Sequence, residues 1–272
     1  MHSIAGRIAL KFSQAHRAAG VVIAAALVTA ACGDGAPTVT SPALNLRMAN
    51  ASAATSNFAV LANAAVTCTN GTITGDVGTY LAAPTGSFTE TICPVTGTVH
   101  VGDAAAVAGY NAFVAAYDAL APETGEACTL LSGTLAGVTL APGVYCFDAA
   151  ATLTGVLTLK GPSNGEWTFL IGTSGTGALT GTNFSVVMEG SALPCNVTWW
   201  VAEAATMTDS YFIGTIMAGA AITLTRGEFA GNVWSQADVT ITGTSLVGCD
   251  VGSTSPGGKD KGKCNQGVGN GP

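Results

Sequence analysis

A gapless repeat of 17 residues fills residues 195–245 and constrains the fold more than any other feature of the chain. Its three copies read CNVTWWVAEAATMTDSY, FIGTIMAGAAITLTRGE and FAGNVWSQADVTITGTS. Threonine occupies positions 12 and 14 of every copy, and each pair encloses one apolar residue: Met207, Leu224 or Ile241. A repeat this short has room for strands but not for a strand and a helix. The repeat therefore predicts the coils of a parallel β-solenoid.

The threonine pairs predict a regular outer surface. Side chains alternate faces along a strand, so the enclosed apolar residue points into the core and both threonines point outward. Stacked coils bring equivalent residues to ~4.8 Å, and residues two apart on a strand lie ~6.7 Å apart. Looser copies of the pattern occur earlier in the chain. The predicted outward grid consists of Thr67, Thr69, Thr152, Thr154, Thr180, Thr182, Thr206, Thr208, Thr223, Thr225, Thr240 and Thr242.

A plainer interpretation of the same residues stays open, because threonine is a good strand former on any solvated face. The register of three pairs in a gapless repeat favours a dedicated surface. Thr215, at an outward position elsewhere in the repeat, is expected to be exposed on a different face.

The first 31 residues predict an export signal. Basic residues precede an apolar run at 18–31 that is too short for a permanent membrane span. The sequence Thr-Ala-Ala-Cys ending at Cys32 is similar to a lipobox, so lipid attachment at Cys32 and plain secretion both remain open. We expect a secreted protein, or one anchored at the cell surface through that lipid alone.

The rest of the chain divides into three parts. Residues 32–55 are small, polar and proline-containing, which is typical of a linker. Residues 56–250 predict one solenoid domain, and residues 251–272 predict a disordered, glycine-rich tail. Residues 103–121 predict the domain's one helix, with Asp103 as N-cap. Its apolar stripe is expected to pack on the solenoid, and that stripe comprises Val107, Tyr110, Phe113, Val114, Tyr117, Leu120 and Ala121.

Cysteine usage fits an exported chain that keeps disulfides. Cys128 and Cys146 flank a single strand–turn–strand unit and are the best pair, and Cys68 with Cys93 is a second. Cys195 and Cys249 form a third candidate pair, although Cys264 competes for Cys249. The chain has no Cys-x-x-Cys motif, and His100 is the one histidine outside the signal, so we expect neither a metal nor a cofactor.

Charge and carboxylate spacing exclude several classes of function. Between residues 33 and 258 the basic residues are Arg47, Lys160 and Arg226, too few for nucleic-acid binding. The net charge of −7 indicates a soluble chain, which we expect to be monomeric. The carboxylates occur singly, without the paired groups of a glycosidase, so we expect no enzyme and no small-molecule substrate. Asp209 and Arg226 lie in adjacent coils and can form a surface pair.

Several segments resemble the large microbial ice-binding protein family. These are FAVLANAAVTCTNGTITGDVGTY, VHVGDAAAVAGYNA, LAPGVYCF, WTFLIG, CNVTWWV, FIGTIMAGAAITL and GNVWSQADVTI, and they occur in the family's order. The resemblance implies a mostly β fold: a right-handed, discontinuous β-solenoid of roughly triangular section with one long α-helix packed alongside. It also implies an ice crystal as the partner, thermal hysteresis and inhibition of ice recrystallisation, and it places the threonine columns on the ice-binding face.

Two alternatives accompany this expectation. One is a cell-surface adhesin or structural β-solenoid without ice activity. The other is a polysaccharide-active solenoid enzyme, which the scattered carboxylates disfavour. Tryptophans could stack sugars, but the alternation of the strand predicts Trp199 in the core, with Trp200 and Trp234 facing the helix or solvent.

Overall fold

The computed structural model describes residues 58–122 and 127–249. The expected export signal, Cys32, the linker, the tail and Cys264 lie outside these residues. Within the described part, the chain folds into parallel strands and one α-helix, and no helix there is long and apolar enough to cross a membrane.

The strands form two parallel sheets that run the length of the solenoid. The first, here called the helix-side sheet, has the order β6-β4-β1-β17-β15-β13-β11-β9-β7. Its strands are β1 Phe58–Ala62, β4 Asp76–Thr79, β6 Val99–Val101, β7 Thr129–Leu130, β9 Gly143–Phe147, β11 Trp167–Ile171, β13 Val197–Val201, β15 Thr215–Ala218 and β17 Val233–Ser235.

The second sheet, here called the threonine sheet, has the order β5-β2-β18-β16-β14-β12-β10-β8, and β3 pairs with the far half of β18. Its strands are β2 Ala65–Thr69, β3 Thr72–Thr74, β5 Ser87–Thr91, β8 Val138–Leu140, β10 Ala151–Gly161, β12 Leu179–Gly190, β14 Ala205–Ile213, β16 Ile222–Ala230 and β18 Val239–Val247.

The solenoid is continuous in space but not in sequence. The first coil, β1 to β3, pairs with the last coil through β1 with β17 and β2 with β18. Helix α1, Ala104–Leu120, follows β6 at one end of the helix-side sheet, and the chain resumes with β7 at the other end. The later coils then build back toward the first. This junction between the first and last coils is called the seam below.

Each long strand of the threonine sheet turns a corner after its second threonine. The residue at that point adopts a left-handed backbone, which redirects the strand onto a third face. The corner residues are Gly155, Asn183, Asp209, Arg226, Gly243, Asn70 and Ile92. Glycine and asparagine tolerate this conformation best, so their presence at four of the corners is expected. The threonine sheet thus supplies the first face, before the corners, and the third face, after them. The helix-side sheet supplies the second face.

Helix α1 covers the outer surface of the helix-side sheet. Asp103 caps it, with a carboxylate oxygen accepting a hydrogen bond from the Ala106 N–H at 2.9 Å. The buried side is centred on Phe113, while Val107 and Val114, placed in the stripe from the sequence, are only half-buried. The Tyr117 hydroxyl donates to the Val201 carbonyl at 3.1 Å, which ties the helix to strand β13.

Stacked aromatic rings fill the interior between the three faces. The rings of Phe169 and Trp199 lie 3.9 Å apart, and those of Phe212 and Phe229 lie 5.2 Å apart. Trp199 is therefore a core residue, as its position in the repeat predicts. Trp200 and Trp234 pack against the helix instead of facing solvent.

Three disulfides join Cys68 with Cys93, Cys128 with Cys146, and Cys195 with Cys249. These are the pairs considered from the sequence. The Cys128–Cys146 bond fixes the chain where it returns from the helix to the helix-side sheet, since β7 follows Cys128 and Cys146 lies in β9.

The expectation that Thr215 is exposed is wrong, because only 8% of its surface is accessible. Thr215 lies on the same side of β15 as Met217, and Met217 packs against the helix. The repeat fixes which side of the strand a residue occupies, but not what covers that side.

Candidate functional site

The predicted threonines form two straight columns on the first face of the threonine sheet. Cα pairing aligns the first column from coil to coil as Thr152, Thr180, Thr206, Thr223, Thr240, Thr67 and Thr89. The second column aligns Thr182, Thr208, Thr225, Thr242, Thr69 and Thr91. Thr154 precedes Thr182 at a register irregularity in the β10–β12 pairing. All of these threonines are at least partly exposed.

Two members of the columns, Thr89 and Thr91, were missed in the sequence. Strand β5 pairs Thr89 with Thr67 and Thr91 with Thr69, so it extends both columns by one coil. The signal was available, because SFTET contains the same Thr-x-Thr spacing. Glu90 obscured it, since a carboxylate occupies the position that is apolar in the 17-residue repeat.

A dense core supports the columns from beneath. Met207, Leu224 and Ile241, the residues enclosed by the threonines of the exact repeat, are at most 3% exposed. Gly181 takes the same position in β12, and a methyl group there would lie 2.5 Å from the Met207 sulfur. The Met207 side chain therefore fills the space that the glycine leaves. Tight packing of this kind holds the outer side chains at fixed heights.

The columns cross the seam without interruption. Thr240 pairs with Thr67 and Thr242 with Thr69, although the strands come from opposite ends of the domain. Side chains reinforce this junction: Asp238 Oδ1 accepts a hydrogen bond from the Ala65 N–H at 2.9 Å. On the helix side, Trp234 Nε1 donates to the Phe58 carbonyl at 2.9 Å. The surface is thus one structure assembled from two remote stretches of sequence.

Charged groups border the columns but do not stand in them. At the corner, Arg226 donates to both carboxylate oxygens of Asp209 at 2.7 Å, which forms the predicted pair. The hydrogen bond from Arg226 lowers the pKa of the Asp209 carboxyl, so the pair is fully ionised at neutral pH. On the other side runs a row of small residues interrupted by one carboxylate: Ala150, Ala178, Ala204, Ala221, Asp238, Ala65 and Ser87.

Away from the columns, one pair of titratable groups supports the helix cap. His100 Nδ1 lies 2.7 Å from Asp103 Oδ2, at the start of the helix and far from the threonine columns in the fold. The hydrogen bond from the Ala106 N–H, followed by that from His100, lowers the pKa of Asp103. Over residues 58–122 and 127–249, no group of three His, Cys, Asp or Glu side chains is arranged to hold a metal ion. The distinctive chemistry of this surface is its periodic array of hydroxyl and methyl groups.

The model of the family described as Ice-binding-like matches residues 60–247, well over half of the chain. The chain belongs to this family. It is 36% identical over 171 residues to an ice-binding protein of Nostoc sp. (strain HG1), covering 61% of each chain. It is 31% identical over 183 residues to an ice-binding protein of Flavobacterium frigoris (strain PS1), covering 61% of this chain and 64% of that protein.

The chain thus aligns with less than two thirds of the length of both curated relatives. The crystal structure of an ice-binding protein from the Antarctic ascomycete Antarctomyces psychrotrophicus is also similar, with a TM-score of 0.64 and 28% identity. That match covers 71% of this chain and 95% of the other. The mostly β solenoid with one flanking helix is therefore confirmed as the fold of this family, as the resemblance of the sequence implied.

Proposed function

We propose that this chain is an exported protein that adsorbs to ice through the two threonine columns, producing thermal hysteresis and inhibiting ice recrystallisation. The observation that carries the proposal is the register of those columns, over seven coils for the first column and six for the second, seam included. Six coil spacings of ~4.8 Å give a strip about 29 Å long, and the columns lie ~6.7 Å apart.

Such a strip is suited to ice because its groups are both periodic and weakly hydrated. Threonine methyls favour caged water, and the hydroxyls beside them anchor that water at lattice-like intervals. Each contact is weak, but many act together on a rigid surface, so detachment requires that all break at once. Charged groups in the strip would hold water in a different arrangement, and the nearest ones lie at its borders. Adsorbed molecules force the ice front to curve between them, which lowers the local freezing point.

Export from the cell is part of the proposed function. Three disulfides favour an oxidising compartment, in agreement with the export signal expected in the sequence. We infer a monomer that is secreted or held at the cell surface through a lipid on Cys32. Both relatives are ice-binding proteins, which supports ice as the partner.

Replacement of Thr223 by tyrosine tests which face binds. Thr223 stands mid-strip between Thr206 and Thr240, each ~4.8 Å away, with Thr225 ~6.7 Å away on its own strand. A tyrosine ring rises above this surface and separates it from a flat ice plane around the substitution. We expect thermal hysteresis to fall by more than half at equal protein concentration. The change is outward, so the free energy of unfolding should shift by no more than about 0.5 kcal/mol.

The matched control is Thr158→Tyr. Thr158 is also a half-buried, outward threonine of a long strand, but it lies beyond the corner on the third face, beside Val187 and Thr139. This variant should retain nearly all of the hysteresis. If both variants are folded and equally active, the threonine columns are not the ice-binding face. If the wild-type chain shows neither hysteresis nor incorporation into growing ice, the adhesin alternative replaces this proposal.

A further inference from the structure

The core position enclosed by the threonines changes character at one end of the solenoid. Along the threonine sheet it is occupied in order by Leu153, Gly181, Met207, Leu224, Ile241, Cys68 and Glu90. The first six are buried and uncharged. Glu90 is the exception, and it lies in β5, the strand at the end of the sheet.

Strand β5 presents an unpaired edge. Among the described residues it pairs on one side with β2, and nothing pairs with its other side. Such an edge offers free N–H and C=O groups to any further strand. The flanking Thr89, Thr91 and Ile92 side chains are all exposed, so little side-chain bulk covers this end.

The opposite end of the sheet differs, because a chain segment folds over it. Leu135 lies buried there, and the Thr134 carbonyl accepts a hydrogen bond from the Thr154 N–H at 3.2 Å. Within residues 58–122 and 127–249, no equivalent segment covers Glu90. Its side chain is exposed, although its position in the strand points it toward the core side.

We propose that Glu90 prevents a second copy of this chain from adding to the β5 edge. Two copies would meet there as antiparallel β5 strands about a two-fold axis. Because β5 has only five residues and Glu90 is the fourth, a register that pairs the whole strand, or one that pairs Glu90 with Glu90, covers both Glu90 side chains. Each carboxylate would then lose its water and lie against the partner's Phe88 or the partner's own carboxylate. Either arrangement opposes association, which is the use of an inward charge at a sheet edge.

The inference rests on the fold and not on ice binding. An antiparallel two-fold pair would, however, place both threonine strips on the same side of the joined sheet. Loss of the charge should therefore have a second, separate consequence: if the proposed function is correct, the associated form should carry a longer ice-contact strip and show more hysteresis for each mole of chain.

The test is sedimentation equilibrium of the purified chain and of Glu90→Val across a hundredfold concentration range. We expect the valine variant to dimerise at least tenfold more tightly than the wild-type chain. Glu90→Gln removes the charge but keeps a polar group, so its dimerisation constant should lie between those of the wild type and the valine variant. It also tests the proposal if valine impairs folding. Glu228→Val is the control, because Glu228 is an exposed carboxylate within interior strand β16. It should leave the dimerisation constant at its wild-type value.

Equal association of the wild-type and both Glu90 variants, with circular dichroism showing all folded, would overturn the proposal. So would equal association of Glu90→Val and Glu228→Val. Because sedimentation does not depend on ice, a dimer without increased hysteresis would count against the proposed function and leave the role of Glu90 standing.

Discussion

Ile92 is the one β-branched residue among the left-handed corners, and its replacement by asparagine should stabilise the domain. Its φ angle is 52°, and 77% of its surface is exposed. The left-handed conformation costs an L-residue with a β-carbon roughly 1–2 kcal/mol, and asparagine tolerates it better. The neighbouring coil already has Asn70 at the equivalent corner, with a φ angle of 51°.

The expected gain in stability is the backbone strain that the substitution relieves, less the burial of the isoleucine side chain that it gives up. Full burial of an isoleucine side chain is worth about 1.5–3 kcal/mol, so the quarter of Ile92 that is covered contributes about 0.5 kcal/mol. Relief of backbone strain exceeds that loss, which leaves a net gain of about 0.5–1.5 kcal/mol. For a domain of this size each kcal/mol shifts the melting temperature by about 2–4 °C. We therefore expect Ile92→Asn to melt about 1–6 °C higher in differential scanning calorimetry.

The reverse substitution supplies the control. Asn70→Ile places a β-branched side chain at the adjacent corner and should lower the melting temperature. If Ile92→Asn melts at or below the wild-type temperature, the left-handed backbone is not a source of strain at this corner. If Asn70→Ile is neutral, the reasoning fails for the corner ladder as a whole.

Two further predictions concern the helix. Asp103→Ala removes the N-cap and should cost about 1 kcal/mol at pH 7. Because folding lowers the pKa of Asp103 from 3.8, the stability from the cap is complete above pH 3.8 and is lost as the pH falls through the folded pKa. The denaturant midpoints of the wild type and the variant should therefore converge at low pH. A difference in midpoint that stays the same at every pH would contradict the role of Asp103 as cap. Burial raises the pKa of Tyr117 from 10.0 to about 12, so the stability that its hydroxyl contributes should be lost as the pH rises between those values. Tyr117→Phe should cost about 1 kcal/mol at pH 7, but between pH 7 and pH 11 the variant should lose less stability than the wild type. Equal losses of stability in both proteins over this range would refute the prediction.

Much of the fold could be predicted because all three copies of the exact repeat place the same strand alternation at the same positions. Alternation assigned Met207, Leu224 and Ile241 to the core, and the structure buries all three. The helix began at its predicted cap, Asp103. The three cysteine pairs were also among those considered. The core positions and the helix cap depend on local pattern, which a single sequence displays directly. Cys195 and Cys249 are 54 residues apart, and the sequence left that pair open because Cys264 competes for Cys249.

The remainder depended on contacts between distant parts of the chain. Periodicity did not reveal that β1 pairs with β17, because no local signal specifies which coil a strand stacks on. The resemblance to a family implied a discontinuous solenoid but not this pairing. Thr215 was misjudged since the helix covers its side of the sheet. Thr89 and Thr91 were overlooked because the inward residue of an edge strand need not be apolar. In β5 that residue is Glu90, so the strand does not show the pattern of the repeat.

The seam explains why the proposed ice-contact strip behaves as one property of the whole domain. Thr67, Thr69, Thr89 and Thr91 belong to the first two coils, yet they complete columns whose other members lie C-terminal to the helix. A slip of one residue at the seam would turn the threonines of one segment inward and divide the strip. The Asp238 and Trp234 hydrogen bonds oppose such a slip from both sheets. The stacking of coils therefore sets the spacing of the threonines along the strip. The docking of the first coil onto the last makes the strip continuous.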